Sequence, residues 1–184
     1  MQVHEDLSQE QQDEFWMQYA LELADKAEQL GEVPVGAVIV AEGVLIAEGW
    51  NRVITDSDPT AHAEVVAMRN AGSAMHNYRL VDTTLYVTLE PCPMCAGALV
   101  HARVGRVVFA AVDPRTGAAG SVFQLLQAPQ LNHQCQISAG VLQEPCAEKI
   151  RHFFKRRRRE QKQAKVDSSQ STQNSAVSGD AKPC

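Results

Sequence analysis

Leu85-Tyr86-Val87-Thr88-Leu89-Glu90-Pro91-Cys92-Pro93-Met94-Cys95 is the stretch on which the fold turns. Leu85–Thr88 reads as a short buried strand. The chain then passes through Glu90-Pro91 into a Cys-x-x-Cys pair, and a helix is expected from there to about Ala102. Pro93 suits the first turn of that helix, where a missing N–H costs nothing. Upstream, the polar stretch Thr55-Asp56-Ser57-Asp58-Pro59-Thr60 leads into a helix from about Ala61 to Ala71, which opens on His62-Ala63-Glu64.

Working outward, two apolar runs, Val35–Ala41 and Val44–Trp50, flank Glu42-Gly43 and predict a hairpin. Ser8 to Leu30 predicts the first helix, with Phe15, Tyr19, Leu23, Ala27 and Leu30 near one helical period. Ser8 and Gln11 suit a capping box, and Gly31 a stop. Downstream come a strand over Arg106–Val112, a Gly/Ala-rich loop over Asp113–Gly120 and a weak strand near Gln136–Ala139. A last helix starts near Val141 or Leu142. The order α–β–β–α–β–α–β–(β)–α implies an α/β fold, a mixed sheet covered by helices. Strand order cannot be read from it. One domain over residues 8–160 is expected, and the polar residues 161–184 are expected to form a disordered tail.

Composition narrows the class. Of 184 residues, 45% are apolar, enough for one core. No apolar run approaches the roughly 20 residues of a membrane helix. The opening residues are acidic and polar, unlike a secretory leader, so a cytoplasmic location is expected. Five cysteines in such a chain favour a metal site or free thiols over a disulfide framework. The net charge of −5 hides an asymmetry. Residues 149–165 carry nine Lys/Arg against Glu160 alone, or +8, which leaves −13 for the rest. A single-sign cluster on an acidic body predicts contact with an anion.

His62, Cys92 and Cys95 make a three-ligand zinc set. Three protein ligands with an open fourth position mark a catalytic zinc site, whereas structural sites close with four. Cys135 and Cys146 lack a ligand-like spacing. Both ligand groups fall at predicted helix N-termini, which favour thiolates. Such a site makes a water ligand far more acidic, approaching a pKa of about 7 in known zinc enzymes, and so supplies the nucleophile. Glu64, two residues past His62, is placed to shuttle its proton. A redox Cys-x-x-Cys has no use for His-x-Glu on a preceding helix, and a zinc ribbon needs a second cysteine pair.

His62-x-Glu64 with Pro91-Cys92-x-x-Cys95 resembles the cytidine deaminase superfamily, whose zinc base deaminases carry this signature. The span from about Phe15 to Arg158 further resembles the bacterial tRNA-specific adenosine deaminases. Besides the zinc motifs, Glu32-Val33-Pro34-Val35-Gly36-Ala37, Asn51-Arg52 and Asp113-Pro114-Arg115-Thr116-Gly117-Ala118-Ala119-Gly120-Ser121 carry that likeness. The resemblance implies a three-layer α-β-α fold with a five-stranded mixed sheet. It implies one Zn²⁺ per subunit, a homodimer, and conversion of adenosine to inosine at the wobble position of a tRNA anticodon, with tRNA-Arg the expected substrate.

It also implies residue roles. Asn51 would bond the flipped base, Val33 and Pro34 would wall its pocket, and Asp113 would accept from a neighbouring ribose 2′-OH, a contact that tells RNA from DNA. Arg115 would contact phosphate. Phe153 or Phe154 would stack on splayed bases, and Arg156 and Arg157, within the Arg156–Arg159 run, would meet the anticodon stem-loop phosphates. Each has a plainer alternative: a turn Asn, a strand-entry Pro, a turn Asp, a core Phe, a solvated basic helix end. Two other functions stay open beside RNA editing: deamination of free bases or nucleotides, and a noncatalytic zinc-stabilised RNA-binding module. Glu64 speaks against the module, and the basic last helix with the Asp113–Ser121 loop speaks against free bases.

Overall fold

A computed structural model describes residues 1–3 and 6–177, and the side chains among them as far as residue 167. The chain divides into two compact units, Met1–Ile150 and Arg151 onward.

The first unit follows the expected order. It contains α1 (Gln9–Gln29), β1 (Gly36–Ala41), β2 (Val44–Trp50), α2 (Ala63–Met75), β3 (Thr83–Leu89), α3 (Pro93–Ala102), β4 (Arg106–Ala111) and β5 (Gln136–Ala139). The strands form one sheet in the order β2-β1-β3-β4-β5. β1 pairs antiparallel with β2 and with β3, while β3–β4 and β4–β5 are parallel. The sheet is therefore mixed and five-stranded, as the resemblance implied.

Period-two alternation builds two cores on its two faces. Ala37, Ile39, Leu85, Val87, Val107 and Phe109 face α2 and α3, packing with Ala63, Ala67, Ala71 and Leu99. Val38, Val40, Tyr86, Val108 and Ala110 face α1, packing with Trp16, Met17, Ala20 and Leu23. Helices on both faces complete three layers.

Ser8 and Gln11 form the expected capping box at the start of α1. The buried face of that helix differs from the expected one. Trp16, Met17, Ala20, Leu23, Ala24 and Ala27 are buried, whereas Phe15 and Leu30 are exposed. Asp13 lies on this inward face because Arg106 and Tyr86 bond its carboxylate. A buried acid interrupts the apolar period from which the face would be read.

Two contacts fix the segments that lead to the site. A Cβ on Gly49 of β2 would lie 2.5 Å from both the Ala63 carbonyl oxygen and the Ala67 nitrogen. α2 therefore rests directly on the strand, which only glycine permits. At the sheet edge, residues 1–3 lie along β2. Gln2 bridges Val44, the Val3 N–H donates to Gly43 O, and the Leu45 N–H donates to Met1 O.

A final helix, α4 (Gln143–Val177), begins in the first unit and carries the described part of the second. Residues 161–177 thus continue a helix where an irregular tail was expected. Gln, Lys and Ala over 161–165 favour helix, and neither Gly nor Pro interrupts 146–177. Residues 178–184, with Cys184, lie outside the described residues. No helix among the described residues is long and apolar enough to cross a membrane.

Candidate active site

β2 ends at Trp50 and β3 at Leu89, neighbours on either side of β1. The segment after β2 returns through His62, the N-cap of α2, and the segment after β3 through Cys92, the N-cap of α3. Pro93 occupies the first helical position of α3, and Cys95 lies on its first turn, buried. Two helix N-termini thus converge with His62, Cys92 and Cys95 between them.

The three donor atoms lie within 4.8 Å of one another and form the one such group of three among the described residues. Zinc bonds of about 2.3 Å to sulfur and about 2.0 Å to nitrogen, at tetrahedral angles, place N and S roughly 3.6 Å apart. His62 Nδ1 lies 3.7 Å from Cys92 Sγ and 3.5 Å from Cys95 Sγ. The donors therefore fit zinc in both chemistry and spacing. Cys135 and Cys146 are buried among apolar side chains of the two cores and stand apart from this group.

The ionisable groups are strongly perturbed. The neighbouring Cys95 thiol, with help from His62, holds the Cys92 thiol down to about 4. The same contact, with burial, pushes Cys95 up. Contact with Cys92 raises His62 against the opposing effect of burial. Glu64, in the first turn of α2, is only 4% exposed. Burial pushes its carboxyl up to about 7, where it can both take and give a proton near neutral pH.

Asn51 is buried, and its Oδ1 accepts the Ala63 N–H at 2.9 Å. The His62 side chain makes no capping bond, so Asn51 caps α2 from the neighbouring segment. That bond engages the carbonyl and leaves the amide NH2 as the group's donor. Pro34 is buried and Val33 half-buried, and the Asn51 N–H donates to Val35 O. The 33–35 segment and Asn51 are therefore held side by side.

Asp113 turns its carboxylate on its own loop. Oδ1 accepts the N–H groups of Arg115 and Thr116, and Oδ2 accepts the Thr116 hydroxyl at 2.6 Å. These bonds shape the turn that opens the 113–121 loop. Arg115 is exposed.

Two buried carboxylates organise the surroundings, and neither was singled out from sequence. Glu32 Oε1 accepts the Ile54 and Thr55 N–H groups and the Thr55 hydroxyl, bracing the segment between β2 and α2. Glu90 is 2% exposed. Its Oε1 accepts the N–H groups of Ala119 and Ser121, and its Oε2 accepts the Asp113 N–H and the Ser121 hydroxyl. The Ala118 N–H donates to Pro91 O, so the 113–121 loop is tied to the Cys92 turn. A Cβ at Gly117 would lie 2.4 Å from the Glu90 carboxylate. The available signal was an acid closing an apolar strand just before Pro-Cys.

In the second unit Phe153 is buried and Phe154 is 42% exposed, their rings edge-to-face at 5.4 Å. Of the two, Phe154 presents a ring for stacking. Arg156 and Arg157 both pair with Glu160, at 3.6 and 3.5 Å.

A three-layer fold with a His/Cys/Cys group and a buried glutamate beside it defines a zinc-dependent deaminase. The chain belongs to the cytidine and deoxycytidylate deaminase family, whose zinc-binding region matches residues 10–111. It is 56% identical to a tRNA-specific adenosine deaminase of Haemophilus influenzae, over 82% of this chain and 87% of that protein. A solved structure from work on A-to-I editing by tRNA:A34 deaminases at the wobble position of transfer RNA is 40% identical. It covers 73% of this chain and 98% of its own, with a TM-score of 0.71. A guanine deaminase from Bacillus subtilis is 46% identical over 60% of this chain and 69% of its own, with a TM-score of 0.53.

Proposed function

We propose that this enzyme converts adenosine to inosine at the wobble position of a tRNA anticodon. The observation that carries the chemistry is Glu64, buried in the first turn of α2 beside the His62, Cys92 and Cys95 group. The substrate follows from relatives named for tRNA adenosine, similar over most of the chain. The tRNA-Arg substrate and the homodimer rest on the family resemblance.

His62, Cys92 and Cys95 would hold a zinc ion, which would supply the Lewis acidity that makes water nucleophilic at neutral pH. Glu64 takes a proton from the attacking water and passes it to the adenine ring nitrogen beside the reacting carbon. Glu64 then takes the remaining proton of the added hydroxyl and gives it to the exocyclic nitrogen, which leaves as ammonia as the C=O forms. Water enters, ammonia departs and inosine remains. The Asn51 amide donates to the purine edge, its carbonyl being engaged by Ala63. Val33 and Pro34 wall the base. Asp113 keeps lone-pair capacity for a ribose hydroxyl, while Arg115, Phe154 and the basic helix meet phosphates and flanking bases.

The test is inosine formation in a tRNA-Arg transcript, beside free adenosine, cytidine and guanine. Inosine in the tRNA with little turnover of the free compounds is expected. Equal turnover of a free base or nucleoside would overturn the RNA assignment. Glu64→Gln is expected to keep its metal and lose about 10²–10⁴ in rate, and full activity in that variant would remove the proton-shuttle role.

A further inference from the structure

The β1–β2 ladder ends at the pair Gly36–Trp50, and one more cross-link follows it, from the Asn51 N–H to Val35 O. Pro34 has no N–H to carry the pairing further. Glu32 takes over. Its main-chain N–H donates to Ala27 O, which pins it to the end of α1. Its side chain crosses to the opposite segment, where Oε1 accepts the Ile54 N–H at 2.9 Å, the Thr55 N–H at 2.7 Å and the Thr55 hydroxyl at 2.9 Å. Along the chain, Val33 and Pro34 therefore lie between two cross-links, one from Val35 to Asn51 and one from Glu32 to Ile54 and Thr55.

The segment that receives these bonds is tied to itself. The Asp56 N–H donates to Arg52 O, the Asp58 N–H to Val53 O, the Ala61 N–H to Asp58 O and the Arg52 N–H to Ala61 O. Arg52 and Asp56 add an ion pair at 2.7 Å. Residues 52–61 thus form one bonded turn that begins beside Asn51 and ends at His62, and Glu32 restrains that turn from the end of α1. Glu32 is 2% exposed. A carboxylate taken that far out of water is tolerated only where donors meet it, and its donors come from 22 and 23 residues away.

We propose that Glu32 is a positioning residue for the substrate base. By tying the 33–34 segment to the turn after Asn51, it holds the base pocket at the width in which the Asn51 amide meets the purine edge. The inference rests on the pocket roles proposed above for Asn51, Val33 and Pro34. Glu32 stands outside the His62, Cys92 and Cys95 group and acts through the backbone it holds. Its loss should therefore weaken binding of the base without touching the proton transfers of Glu64.

The experiment uses the full-length, zinc-loaded protein and an anticodon stem-loop RNA with adenosine at the wobble position. Glu32→Gln keeps an oxygen where Oε1 stood and can accept all three donors. Glu32→Leu fills a similar space and accepts none. The Leu variant is expected to raise KM at least about tenfold, the scale of a lost bond to a charged acceptor, with kcat changed by less than about threefold. Zinc retention in chelator competition should stay as in the unmutated protein. The Gln variant is expected to keep both constants within about threefold. Thr55→Val removes one of the three bonds from an exposed residue and should raise KM about threefold; it decides the matter if Glu32→Leu does not fold. Equal losses in the Gln and Leu variants would overturn the acceptor role. So would an unchanged KM in both Glu32→Leu and Thr55→Val, or a fall in kcat or zinc retention at unchanged KM. Inosine formation by the unmutated protein scores the RNA reading separately. If that protein turns over a free base or nucleoside instead, KM for that compound is compared across the same variants, so the two failures give different results.

Discussion

Replacing Glu90 should release the 113–121 loop while leaving the zinc-ligand residues in place. In Glu90→Gln one oxygen becomes an NH2 group. With the amide oxygen kept toward Ala119 and Ser121, both of those N–H bonds survive. The NH2 then faces the Asp113 N–H, donor against donor, while the Ser121 hydroxyl turns to accept. The net loss is one charge-assisted bond and one part-buried N–H without a partner, about 2 kcal/mol in all. That corresponds to roughly 30-fold faster opening of the loop. Glu90→Ala loses all four bonds and should open it much further. Amide hydrogen exchange on a peptide spanning 111–123 reads this directly, with the β1 peptide 36–41 as the internal reference. Selective acceleration of the loop is expected, with a raised KM for the RNA substrate. Equal acceleration of both peptides would show that the carboxylate supports the whole fold rather than this loop. No acceleration at all would refute the reasoning from these four bonds.

Gly49→Ala drives a Cβ into the backbone of α2. It should cost about 2–3 kcal/mol in urea denaturation and weaken zinc retention in chelator competition, because the helix that must shift carries His62. Asp13 provides a pH signature. Burial would raise its carboxyl, but bonds from Arg106, Tyr86 and Gln9 outweigh this and hold it below the usual carboxylate range. A depressed carboxylate stabilises the fold above its unfolded pKa of about 3.9 and loses that contribution as pH falls through the lower folded value. Asp13→Asn should therefore cost about 2–4 kcal/mol at pH 7, with the gap from the unmutated protein closing below about pH 4. Thermal midpoints from pH 7 to pH 3 test this, and a constant gap would contradict the assignment.

The order of elements and the metal-binding trio were legible in the sequence for local reasons. Pro-Cys-x-x-Cys after an apolar strand fixes a helix start within a few residues, and His62-x-Glu64 does the same for α2. Ser8 and Gln11 announce their cap three residues apart. What stayed hidden is non-local. Glu90 finds its donors 23 to 31 residues away, and Asp13 meets Arg106 across 93 residues. Both are acids on inward faces, and a sequence read by apolar periodicity places them outside. Asn51 carried a signal for function but not for structure, since the helix it caps begins 12 residues later. The pairing of Arg156 and Arg157 with Glu160 follows only once the helix is known to be continuous and Glu160 is placed on it.

The three residues lying along β2 have a consequence for handling and for self-association. β2 is an outer strand, and its main-chain groups near Val44 would otherwise be open templates for a strand from another molecule. Met1 and Val3 occupy two of those groups with their own backbone. Deleting these residues, or recruiting them into an added affinity tag, would unmask that edge and favour aggregation during purification.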